Sequence, residues 1–215
     1  GICLKINNQL EIVKKEGKLE NLREALSQTN PSSHVGIGHT RWATHGAVNN
    51  DNAHPHGNED FAVVHNGIIE NAPVLKKQLQ AEGWVFKSQT DSEVFLVLLS
   101  KFAKETGDTM KAMSKAFQTI QGNSAFVVME KGTDRLFCVK RSAPLVCGLN
   151  PATGEAFVSS DPFALIGYAP EIFFPQDAVI GCGSVKGSTA KMDFFELDLT
   201  PSMRFTTQKN AMSMD

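Results

Sequence analysis

From Ser124 onward, apolar residues recur at every second position, and that period limits the fold more than any other feature of the chain. The segments AFVVME, RLFCVKR, PLVCGL, EAFVSS, AVIGCG and MDFFELDL read as successive strands, because side chains two apart share one face of a sheet. Lys131-Gly132-Thr133-Asp134, Asn150-Pro151-Ala152-Thr153-Gly154 and Lys186-Gly187-Ser188-Thr189 separate them as turns. A short helix is expected near 161–167. The tail from Pro201 is polar and aperiodic and reads as linker or frayed terminus, so 1–200 is taken as the domain and 201–215 as tail.

The first half mixes both periods. Ile2–Ile6 and Leu10–Val13 flank Asn7-Asn8-Gln9, which predicts a hairpin. Leu19, Leu22 and Leu26 have helical spacing, and a strand is expected over His34–His39. A strand over Phe61–Val64 ends at His65-Asn66-Gly67. Asn71 is the expected cap of a helix over Ala72–Glu82, with Val74, Leu75 and Leu79 inward. Trp84–Phe86 reads as a short strand. Thr90-Asp91-Ser92-Glu93 fits a capping box before a second helix. Asp108 is the expected cap of a third over Thr109–Gln121, with Met110, Met113, Phe117 and Ile120 on one stripe. Strands, helices, then many strands argue for an α+β fold with mainly antiparallel sheets, and against a doubly wound parallel one.

At 215 residues the chain suits one large domain or two small ones and can bury a substantial core. The net charge of −2 supplies no basic face for nucleic acid or an anionic membrane. No apolar run nears the roughly 20 residues of a membrane span, and the N-terminus lacks a secretory pattern. Cys3, Cys138, Cys147 and Cys182 form no CxxC and read as reduced core thiols of a cytoplasmic protein.

Five of the six histidines lie between Gly38 and Asn71. So many polar donors are costly to bury without partners, which marks the stretch as functional. In His65-Asn66-Gly67 the Asn amide and the Gly N–H can converge as an oxyanion hole; a plain Asn-Gly hairpin turn is the alternative. Arg41 can grip a carboxylate with two hydrogen bonds or serve a structural ion pair. Trp42 can wall a pocket or fill the core. His54-Pro55-His56 matches no metal spacing, so histidines that orient a loop are expected and no metal or other cofactor. Asp91 can receive an ammonium or simply favour a helix N-terminus.

The blocks 38–46 (GHTRWATHG), 52–56 (NAHPH), 64–71 (VHNGIIEN) and 90–94 (TDSEV) closely resemble, in order, the glutaminase domain of the glucosamine-6-phosphate synthases, which are class II glutamine amidotransferases. The resemblance spans about Gly1 to Leu199. It implies an αββα sandwich of the N-terminal nucleophile hydrolase type and hydrolysis of L-glutamine to glutamate and ammonia. Arg41 would bind the glutamine carboxylate with Thr44 and His45 in support, and Asp91 the ammonium. Asn66 and Gly67 would stabilise the oxyanion, Trp42 would lie where ammonia leaves, and His54 and His65 would support the site. In the family the ammonia reaches fructose 6-phosphate in a sugar-isomerase domain absent from this sequence, and the intact enzyme is expected to be a homo-oligomer.

In one respect the sequence departs from the family. The family nucleophile is an N-terminal cysteine whose own α-amine is the base, whereas this sequence starts with Gly1 and Gly1–Val13 resembles a later hairpin. The resemblance therefore implies that the nucleophile and one sheet strand belong upstream. Two other readings stay open: a glutamine-binding regulatory module without catalysis, and another class II amidotransferase, such as one acting on phosphoribosyl pyrophosphate. Exposed strand edges, and hence poor solubility, are expected of the isolated chain.

Overall fold

The structure, a computed structural model, describes residues 1–29, 31–41 and 49–209. The expectations for Trp42, Thr44 and His45 lie outside the described residues. In order, the chain forms β1 (Ile2–Ile6), β2 (Gln9–Val13), α1 (Leu19–Thr29), β3 (Gly36–Gly38), β4 (His56–Gly57) and β5 (Phe61–Gly67). Next come α2 (Ala72–Ala81), α3 (Ser92–Thr106), α4 (Thr109–Thr119), β6 (Ser124–Glu130) and β7 (Arg135–Arg141). The second half adds β8 (Val146–Asn150), β9 (Glu155–Ser159), a 3-10 turn (Pro162–Leu165), β10 (Glu171–Pro175), β11 (Ile180–Lys186), β12 (Thr189–Phe195) and β13 (Phe205–Lys209).

A six-stranded sheet, β12-β11-β7-β6-β5-β4, forms the middle of the molecule. Its alternation assigns the faces. Phe61, Val63, Phe126, Val128, Phe137 and Val139 pack under α2, α3 and α4. Ala62, Val64 and Met129 meet Cys3, Val35 and Ile37 of a small sheet, β2-β1-β3. Ala125, Cys138 and Phe194 meet Leu145 and Cys147 of another, β13-β10-β8-β9. The 3-10 turn covers the outside of that sheet through Leu165, packed with Val146 and Ile172. Phe126 is fully buried and stacks on Phe95 at 3.8 Å; burying a side chain of that size is worth about 1.5–3 kcal/mol.

The two small sheets lie side by side on one face of the six-stranded sheet. Their facing edges, β3 and β9, line a cavity of about 890 Å³ floored by Leu136 and Gly183. It meets the start of both strands, at Val35–Gly36 and Glu155–Phe157. A second cavity, of about 370 Å³, meets their ends, at Gly38 and Ser160, together with Asn66. β3 and β9 therefore run the same way along a gap whose far end opens beside Asn66. Unpaired edges recruit other chains, so the purified chain is expected to aggregate at concentrations where most domains stay monomeric. Light scattering and a thermal melt check this; a stable monomer with one cooperative melt would count against it.

Several local expectations are corrected. Asn71 does not cap α2 with its side chain; its amide instead donates to Thr119 O at 3.0 Å and accepts from Gln121 N–H at 2.9 Å. Val74 is exposed, and Ala72 takes the inward place beside Leu75 and Leu79. Trp84–Phe86 forms no strand. Asp108 does cap α4, accepting from Lys111 N–H at 2.9 Å. The tail is not all linker: β13 pairs with β10, Phe173 opposite Thr207. Strand β5 runs through Gly67, paired with Ser124, so His65-Asn66-Gly67 closes a strand and is not a hairpin turn.

Candidate functional site

Three elements converge at the end of β5. Because side chains alternate along the strand, Asn66 points toward the small sheets and His65 toward the helices. His39, just past β3, meets Asn66: its Nε2 lies 2.7 Å from Asn66 Oδ1. Asn66 Nδ2 has no partner among the described residues. Gly67 has φ +126°, and a Cβ there would fall 2.0 Å from Asn123 O. Only glycine fits that conformation and that approach.

Asp91 precedes α3. It is the N-cap residue of α3, but its side chain makes no capping hydrogen bond; its Oδ2 accepts the Ile69 N–H at 2.7 Å, tying α3 to the chain leaving β5. Glu93 does not close a capping box either. It accepts from Lys87 N–H, Ser88 N–H and Ser88 Oγ at 2.7, 2.6 and 2.7 Å and so pins the loop before α3.

Behind these residues lies a buried histidine cluster. Ser92 Oγ bridges His54 Nε2 and His65 Nδ1, each at 2.9 Å. His56 Nε2 contacts Thr90 Oγ1 at 2.9 Å, and Thr90 contacts Ser88 at 3.1 Å. The His54 ring lies 4.2 Å from that of His39 and 4.8 Å from that of His56. Burial, followed by the neighbouring cationic and histidine groups, drives the His54 pKa far below its usual range and that of His56 to about 3. Burial brings His65 to about 4, partly opposed by Asp91. The cluster is therefore neutral near pH 7. Among the described residues no group of three or more His, Cys, Asp or Glu could hold a metal.

One cavity of about 370 Å³ is lined by Arg41, His54, His65, Asn66, Gly67 and Asp91, with His39 and Ser92 in its wall. Every described residue singled out as a site candidate thus faces one space. It offers a guanidinium, a carboxylate, a free amide donor and a tight glycine, the equipment for a small zwitterion. Sequence reasoning missed His39 and Ser92. The first stood in plain sight within GHTR, but nothing local tied it to Asn66, 27 residues on.

The four cysteines are free and buried. Burial pushes the Cys3 thiol up to about 12 and that of Cys182 up to about 11; Cys147 is also raised, by its contact with Cys138 at 3.6 Å and by burial. Cys3, Cys147 and Cys182 therefore stay protonated near pH 7.

Residues 39–166 match the family model for a glutamine amidotransferase domain. The chain belongs to that family. The amidotransferase domain is 38% identical to glutamine–fructose-6-phosphate aminotransferase [isomerizing] of Idiomarina loihiensis, over 97% of this chain and 33% of that protein. It is 41% identical to the enzyme of that name from Thermus thermophilus, over 82% and 29%, and 42% to that of Aquifex aeolicus, over 84% and 30%. The chain thus spans about a third of the length of these relatives. Among solved structures it resembles glutamine phosphoribosylpyrophosphate amidotransferase of B. subtilis, with a TM-score of 0.73 and 22% identity, over 93% of this chain and 43% of that one. At that identity the likeness shows the fold alone, and that fold is the expected αββα sandwich of the N-terminal nucleophile type. No helix among the described residues is long and apolar enough to cross a membrane.

Proposed function

We propose that the amidotransferase domain binds L-glutamine and hydrolyses its side-chain amide to glutamate and ammonia, and that in a longer protein the ammonia converts fructose 6-phosphate to glucosamine 6-phosphate. The observation that carries the reading is the meeting of Arg41, Asn66, Gly67 and Asp91 on one cavity. Arg41 takes the α-carboxylate, with Thr44 and His45 in support, and Asp91 takes the α-ammonium. The substrate amide then extends toward Asn66 and Gly67.

The nucleophile of this reading is the N-terminal cysteine that the family resemblance implies. Its thiol attacks the amide carbon and gives its proton to its own α-amine. The amide oxygen becomes an oxyanion, stabilised by Asn66 Nδ2–H and Gly67 N–H; one such donor is worth about 2.7–4 kcal/mol. The α-amine returns the proton to the leaving nitrogen, ammonia departs, and water releases glutamate. His54 and His65, neutral and locked through Ser92, support the wall and transfer no proton in the reaction. The names of the relatives support the acceptor sugar. The free thiols support a reducing, cytoplasmic setting.

Calorimetry with L-glutamine tests the binding half. Asp91→Asn keeps an oxygen for the Ile69 N–H but removes the charge. Its affinity for L-glutamine is expected to fall about 10- to 100-fold, since a hydrogen bond to a charged group is worth about 1.5–3 kcal/mol. Glutaramate, which lacks the ammonium, should bind wild type and variant alike. Unchanged L-glutamine affinity in the variant would remove Asp91 from the ammonium site.

A further inference from the structure

A carboxamide serves as an oxyanion donor only if it is turned the right way, because Asn66 can present either Nδ2 or Oδ1 to the cavity. Resting on the glutaminase reading above, we propose that His39 is the positioning residue that makes this choice: its Nε2–H holds Asn66 Oδ1 and so leaves Nδ2 to face the substrate. The contact is short, at 2.7 Å.

His39 is itself held on both sides. Its backbone N–H donates to Gly1 O and its carbonyl accepts from Gly1 N–H, each at 3.0 Å. The His54 ring packs 4.2 Å from its own. The other ring nitrogen, Nδ1, is buried with no hydrogen-bond partner among the described residues. A buried lone pair without a partner is tolerated better than a buried N–H without one. With the proton on Nε2, the orphan is a lone pair. With the proton on Nδ1, the orphan is an N–H, and Asn66 must turn its NH₂ onto the ring, leaving Oδ1 to repel the developing oxyanion. Burial, opposed by the contacts with Asn66 and the His65 backbone and helped by the nearby Arg41, disfavours the doubly protonated ring. One tautomer is therefore selected, and with it one orientation of Asn66.

The assignment is tested on the full 215-residue chain by ¹⁵N NMR of the histidine rings and the Asn66 side-chain amide. The expected result is a neutral His39 ring with its proton on Nε2. His39→Leu should move the Asn66 amide resonances, and His39→Gln, which restores a side-chain N–H, should return them toward wild type. L-Glutamate, whose γ-carboxylate presents an acceptor at the oxyanion position, should bind His39→Leu about tenfold more weakly and His39→Gln within about threefold of wild type. A proton on Nδ1, or Asn66 resonances unmoved in His39→Leu, would overturn the proposal. If that variant does not fold, the wild-type tautomer still decides. Absence of any L-glutamate binding to wild type would sink the glutaminase reading and leave the orientation of Asn66 to the resonances.

Discussion

Purified as the 215-residue chain, the amidotransferase domain is expected to release no glutamate from L-glutamine above the uncatalysed rate. On the proposed reading the cavity binds and polarises the amide, but a nucleophile must also attack. Cys3 lies in β1, paired across to Ile12 and Ile37, with its thiol pushed up to about 12; at pH 7 the thiolate fraction is about 10⁻⁵. Cys138 and Cys147 sit between the middle sheet and a small sheet, and Cys182 lies on the helix side of β11. None lines the cavity. The gap between β3 and β9 has room for one further strand. Every strand ladder among the described residues is antiparallel. A strand pairing antiparallel with both edges would begin at the cavity beside Asn66 and run toward Ser33 and Asp134. Its first residue would stand next to Asn66. A synthetic peptide beginning Cys-Gly-Ile and continuing with alternating apolar residues is therefore expected to restore glutamate release in trans, whereas its Nα-acetylated form is not. Robust turnover by the chain alone would sink this account. Binding of the free-amine peptide without turnover would favour a glutamine-binding module.

What the sequence revealed, and what it hid, follows from how local each signal is. The strands of the middle sheet were legible because one face meets helices and the other meets strands, so Phe126 and Val128 alternate cleanly with Val127 and Met129. β10 was lost because Phe173 and Phe174 are adjacent and Pro175 follows, which breaks the alternation. β13, FTTQK, is an edge strand with mostly exposed side chains, so polarity alone suggested a tail. At the site, residue types were legible but partners were not. TDSE has the composition of a capping box, yet Asp91 and Glu93 spend their oxygens on Ile69, Lys87 and Ser88. Ser and Asp near a helix start serve a cap and a site with equal ease, and only tertiary contacts decide.

Those same contacts make the domain acid-labile. His54, His56 and His65 are buried and neutral, with pKa values depressed well below 6.5 by burial in the first place. In the unfolded chain each titrates near 6.5. Below that pH the unfolded state binds protons that the folded state refuses, so stability rises with pH and falls as acid is added. The stabilisation is fully present above about pH 6.5 and is lost progressively below it, down toward about pH 4 for His65 and about pH 3 for His56. Between pH 7 and pH 5 each histidine costs about 2 kcal/mol, or about 6 kcal/mol for the three. That is comparable to the whole stability of an ordinary domain, about 5–15 kcal/mol. Carboxylates contribute little in this window, because their unfolded pKa values lie near 4. The urea midpoint is therefore expected to drop by roughly 2 M or more from pH 7 to pH 5, given a slope of about 2–3 kcal/mol per M. His56→Gln, which keeps a side-chain amide for Thr90 Oγ1 but does not titrate, should flatten the profile by about a third. A midpoint independent of pH over this range would mean that the histidines are solvated or already protonated in the folded chain, and the neutral wall behind Asn66 and Asp91 would go with it.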